Sequence, residues 1–195
     1  MSSQTIDKLL QKNYANHTLN AVEIYAYLIN NLDKSNTIDW QSRYNNFFKF
    51  GVRSQKWKEL YFDFFNKLKT KKPQIQDLEN NLKFFYDLQK ENGLKPHVEA
   101  SFISKAMHVL NPDLPIWDNN IRQSLLKLNY NPINTCKTTD DKIKKATELY
   151  KKLDLEIKTK ITQEKDKISE FKDTFSEHIS DTKIIDFYYW AEINN

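Results

Sequence analysis

Apolar side chains recur every three or four residues along most of this chain, and that spacing constrains its fold more than any other feature. Val22, Ile24, Tyr25, Leu28 and Ile29 keep it, as do Tyr44, Phe47 and Phe48. Trp57, Leu60, Tyr61, Phe64 and Phe65 continue it, followed by Leu78, Leu82, Phe85 and Leu88. Ile184, Ile185, Phe187 and Tyr188 mark a terminal helix. No stretch alternates apolar and polar residues between turn signals, so a sheet is not expected. The prolines agree: Pro73 falls between helical patterns, Pro96 just ahead of one, and Pro112, Pro115 and Pro132 in loops. The chain reads as all-α, with about eight to ten helices.

Residues 1–195 read as one all-α unit with two approximate lobes. An aromatic-rich body spans 20–130 and contains a hairpin-like segment, 97–128. Residues 131–195 form lysine-rich helices plus a C-terminal helix that carries enough aromatic surface to dock back on the body. The lysine-rich part, KTTDDKIKKATELYKKLDLEIKTKITQEKDK, reads as an exposed helical hairpin laced with i,i+4 charge pairs.

Composition removes several classes of function. Two glycines in 195 residues leave no glycine cradle for a phosphate. One cysteine, Cys136, excludes a disulfide scaffold, a cysteine-ligated zinc module and an iron–sulfur cluster. His17, His97, His108 and His178 show no metal-ligand spacing, so neither metal nor cofactor is expected. The first residues, MSSQTIDKLLQKNY, lack an apolar signal core. No run approaches the roughly 18 apolar residues of a membrane span. A cytoplasmic monomer without a membrane role is the expectation. A net charge of +4 permits a polyanionic partner, but with only three arginines, Arg43, Arg53 and Arg122, among 30 basic residues it does not demand one.

The informative stretch is HVEASFISKAMHVLNPDLPIWDNNIRQSLLKL, from His97 to Leu128. A helix opening near Pro96 to Ser101 runs to about Leu110, and Asn111-Pro112 stops it. At about 100° per residue, Val98, Phe102, Ala106, Val109 and Leu110 share its apolar face. Lys105 falls on the border of that face, with Ser101 and His108 one turn away. A lysine so placed is partly desolvated, which lowers its pKa and frees the amine as a nucleophile. Asp118 stands where the next helix begins. A carboxylate there accepts backbone N–H bonds and meets the positive end of the helix dipole, which keeps it ionised and fixed in direction. Such a group stabilises a cationic transition state at a glycosidic carbon. Trp117, beside it in an irregular loop, is the aromatic least expected to be core.

Asp118-Asn119-Asn120-Ile121-Arg122, preceded by Leu114-Pro115-Ile116-Trp117, resembles the segment around the catalytic aspartate of helix-hairpin-helix DNA glycosylases of the endonuclease III, 8-oxoguanine and adenine glycosylase type. Ser104-Lys105-Ala106 is similar to that family's lysine segment at the start of the second hairpin helix. Ser101 and Ile103 stand where the family has glycines, and the thirteen positions from Lys105 to Asp118 are fewer than is usual there. The resemblance implies a two-lobed helical fold, double-stranded DNA as partner, and excision of a damaged or modified base. It implies Lys105 as nucleophile and Asp118 as activating carboxylate. Ser101, His108, Trp117, Asn120 and Arg122 would contact substrate or DNA. The alternative is a non-catalytic helical domain that keeps the scaffold for binding nucleic acid or protein.

Overall fold

The computed structural model describes residues 12–51 and 53–193, with side chains described from His17 to Trp190. Most of the N-terminal segment read above for a leader, residues 1–11, lies outside the described residues. Among the described residues the secondary structure is helical throughout, with no strand. The helices are α1 (Lys12–Asn30), α2 (Ile38–Phe47), α3 (Gln55–Leu68), α4 (Leu78–Glu91), α5 (Ala100–Leu110), α6 (Asn119–Ser124), α7 (Thr139–Gln163), α8 (Lys165–Thr174) and α9 (Asp181–Ile193). Short 3-10 turns occupy Leu32–Lys34, Ile75–Asp77 and Pro132–Thr135.

Local chemistry sets the helix ends. Thr37, Ser54, Asp118 and Thr138 each accept a backbone N–H from the first turn of α2, α3, α6 and α7. Helix α4 ends at Gly93, whose φ of +68° places it in the left-handed region. Gly93 N–H donates to Lys90 O and Leu94 N–H to Gln89 O, closing the helix in a left-handed cap. The buried Gln89 then ties down the connection to α5 through its side chain, which meets His97 O at 2.9 Å and His97 N at 3.3 Å.

One apolar core runs from Val22 to Tyr189, through both the 20–130 and the 131–195 segments. Trp40, Tyr44, Trp57, Tyr61 and Phe85 stack and edge-pack within it. The Tyr44 and Tyr61 hydroxyls are 2.7 Å apart, and Tyr61 donates to Phe102 O at 2.8 Å. Helix α1 lies on α2 and α5, α4 lies between α3, α5 and α7, and α9 rests on α6, α7 and α8.

Two expectations about faces change. The lysine-rich 131–172 stretch is not a solvated hairpin: Ile143, Ala146, Leu149, Tyr150, Leu153 and Ile157 bury a full stripe of α7 against α4 and α9. That stripe was present at helical spacing, outnumbered by lysines on the other faces. In α5 the buried residues are Ala100, Ile103, Ser104, Ala106, Met107, His108 and Val109, while Phe102 and Leu110 are half-buried. The helix is covered on two sides, by α1 and α4, so its buried arc is wider than the predicted stripe and takes in both Ser104 and His108.

Candidate active site

The loop from Asn111 to Trp117 joins α5 to α6 and delivers Asp118, held by α5, α7, the start of α9 and the backbone at Pro73. Ser104 Oγ of α5 accepts the Trp117 N–H at 2.9 Å and donates to Ser101 O at 3.0 Å. His108 Nδ1 is 2.5 Å from Leu114 O, and Tyr150 of α7 donates to Pro115 O at 2.8 Å. Ser180 and Thr182, at the start of α9, donate to Pro112 O and Asp113 O. Asn111 Nδ2 reaches back to Pro73 O at 2.8 Å. Successive residues of an extended segment point to opposite sides. Thus Trp117, 4% exposed, enters the core while Asp118 faces outward into a cavity.

That cavity measures about 640 Å3, within the roughly 300–1,000 Å3 of small-molecule sites. Lys105 and Ser101 reach it from α5, Asp118 and Asn120 from the start of α6. Helix α9 contributes Lys183, Asp186, Phe187 and Trp190, and Phe47 and Phe48 close the α2 side. His17 and Asn20 of α1, with Lys49, stand at its edge.

Lys105 Nζ donates to Phe48 O at 3.3 Å and lies 5.3 Å from the Phe102 ring centroid and 5.9 Å from that of Phe48. Burial lowers its pKa; the nearby charges of Asp118 and Asp186 oppose that shift, and Lys183 adds to it. The Phe48 carbonyl is aimed by a cap like that of α4. Lys49 takes a φ of +51°, and Phe50 N–H donates to Asn45 O at 3.1 Å. A non-glycine residue in that conformation costs about 1 kcal/mol, and here the strain sits on the edge of the cavity.

Asp118 caps α6, accepting Ile121 N–H at 2.9 Å, so its direction is fixed as expected. Its charge state is not. Burial, and next the negative charge of Asp186, push its pKa up to about 6, against the Ile121 bond and the attraction of Lys105 and Lys183. One amide bond does not replace the water that the carboxylate gave up.

Three other predicted contact residues are turned inward. His108 is fully buried. A carbonyl can only accept, so Nδ1 carries the proton toward Leu114 O and Nε2 accepts from Tyr25 Oη at 2.8 Å. Burial holds this neutral ring's pKa near 4. Arg122, 4% exposed, spends its guanidinium on Leu128 O and Asn119 Oδ1, clasping the end of α6. Trp117 is core, as described. His108, Trp117 and Arg122 therefore support the loop and helix that present Asp118, and none of them lines the cavity.

The sequence reading missed Lys183 and Asp186. They are bonded Nζ to Oδ2 one turn apart, with side chains 4% and 10% exposed. Their signal was a lysine and an aspartate at i,i+3 in KIIDFYYW, whose other residues are apolar or aromatic. Among the described residues no cluster of His, Cys, Asp and Glu could hold a metal ion, and no helix is long and apolar enough to cross a membrane. No protein-family model matches this chain, nor does any curated protein or solved structure.

Proposed function

We propose that this protein is a DNA base-excision glycosylase with abasic-site lyase activity, acting on a damaged or modified base. The observation that carries the reading is convergence: Lys105 and Asp118, from different helices, both line one cavity of about 640 Å3. Aromatic walls at Phe47, Phe48 and Phe187 suit an extruded base, which such enzymes hold between aromatic or apolar side chains.

In the proposed reaction Asp118 takes a proton from the Lys105 ammonium. The free amine bonds to the sugar C1′, and the base leaves with the electron pair of the broken N–C1′ bond. Opening of the sugar ring at O4′ turns the adduct into an iminium. Loss of a C2′ proton to solvent then forms the C2′=C3′ bond and expels the 3′ phosphate with the electrons of the C3′–O bond, and water adding to the iminium carbon releases Lys105.

Borohydride reduces that iminium to a stable amine, so trapping on abasic and 8-oxoguanine duplexes tests the reading. A covalent adduct is expected with wild type. It is lost in Lys105→Ala and formed about 100-fold more slowly in Asp118→Asn, the lower range for loss of a positioned acid–base group. No adduct from wild type on any lesion tried sinks the proposal. Salt-dependent duplex binding unchanged by both substitutions, with no base release, would select the non-catalytic alternative.

A further inference from the structure

The cavity contains a second carboxylate whose surroundings differ from those of Asp118. Asp186 is bonded to Lys183, which is 3% exposed. The Lys183 ammonium lies 4.5 Å from the Phe187 ring centroid, 5.1 Å from Phe47 and 5.3 Å from Tyr25. Flanked by aromatic faces and almost fully buried, it stays beside Asp186. Asp118 instead has the Ile121 N–H as hydrogen-bond partner and feels Lys105 and Lys183 across space. Two carboxylates in one site whose surroundings differ in this way take different protonation roles.

We propose that the cavity divides its carboxylates between two jobs: Asp186 is the ion-paired carboxylate, clamped by Lys183, and Asp118, bonded to the Ile121 N–H, is the exchangeable proton carrier. The charged and titratable groups that line the cavity with Asp118 are His17 from α1, Lys49 after α2, Lys105 from α5, and Lys183 and Asp186 from α9; Asp186, Lys105 and Lys183 act on its charge. Helix α2 itself presents the uncharged Asn46 and Phe47. Of these groups Asp186 acts most strongly on Asp118, and it repels a second negative charge.

In the glycosylase reaction, on whose reading this consequence rests, the proton that Asp118 takes from Lys105 passes to a nitrogen of the departing base. The base accepts the electrons of the N–C1′ bond and that proton together. The division of charge between the two carboxylates does not itself depend on catalysis.

Carbon-13 NMR of aspartate carboxyl groups, titrated in the full-length protein, tests the division. Wild type is expected to show one cavity carboxyl titrating near pH 6, absent from Asp118→Asn. In Asp186→Asn that midpoint falls by roughly one pH unit. If Asp186→Asn does not fold, the neutral pair Lys183→Met/Asp186→Asn gives the same downward direction, because Asp186 outweighs Lys183 at Asp118. A near-neutral signal that survives Asp118→Asn and vanishes with Asp186, or an Asp118 midpoint unmoved in the double variant, overturns the proposal. Absence of a trapped DNA adduct would refute the glycosylase reading and leave this titration standing. An adduct with the wrong titration would refute only the division.

Discussion

Ser104→Ala isolates the hydrogen bond that sets where Asp118 stands. Ser104 is fully buried, and its hydroxyl is the acceptor for the Trp117 N–H. Removing the oxygen leaves a buried backbone donor without a partner, which costs about 1–3 kcal/mol. Alanine's higher helix propensity returns about 0.5 kcal/mol. The net loss is therefore about 0.5–2.5 kcal/mol, with the middle of that range corresponding to a fall of roughly 3–6 °C in Tm for a chain of this size. Ser169, exposed in α8, supplies the control: Ser169→Ala gains the propensity term and loses no buried bond. Urea unfolding of the two variants at equal m-value measures the difference, expected at about 1–3 kcal/mol. If Ser104→Ala is as stable as Ser169→Ala, the loop does not depend on this bond and the account of Asp118's placement is wrong. Because Lys105 is the next residue on the same helix, Ser104→Ala should also slow borohydride trapping without abolishing it.

The buried pair on α9 predicts an unusual double variant. Asp186→Leu alone strands the Lys183 ammonium in the core and should cost about 3–5 kcal/mol, whereas Lys183→Met/Asp186→Leu should recover most of that loss; a double variant as unstable as the single one in urea unfolding would contradict this. Two groups predict how stability varies with acidity. The unfolded chain protonates His108 at its ordinary value of 6.5, while the folded protein resists until about pH 4. Stability that is complete above pH 6.5 is thus lost on acidification, by about 3 kcal/mol at pH 4. Asp118 acts in the opposite sense: with a folded value near 6 against an ordinary 3.8, it binds its proton first in the folded state and adds stability as pH falls from 6. Asp118→Asn should therefore lose stability more steeply between pH 6 and 4 than wild type, and parallel curves would refute the assignment.

The helical character, the extent of α5 and the capping position of Asp118 were all legible locally, because period, proline placement and cap chemistry act within a few residues. The inward turn of His108 was not. Its burial depends on α1 and α4 covering two sides of α5, an arrangement set by residues far away in sequence. Arg122 misled for a related reason. Its partners, Asn119 and Leu128, are close in sequence, but only the fold of α6 shows that the guanidinium bends back on its own helix. Lys183 and Asp186 looked like ordinary polar interruptions of an aromatic helix, since nothing within ten residues reveals that α9 lies across the start of α6. The α7 stripe was visible in principle and was hidden by counting lysines instead of following Ile143, Tyr150 and Ile157 around the helix.

The bond from Lys105 to the Phe48 carbonyl has a further consequence. A nitrogen that donates one N–H to a fixed backbone oxygen is held in direction, so the Lys105 side chain enters the cavity already aimed. The strained corner at Lys49 sets where that oxygen stands, so the backbone there is linked to the orientation of Lys105 through a single peptide group.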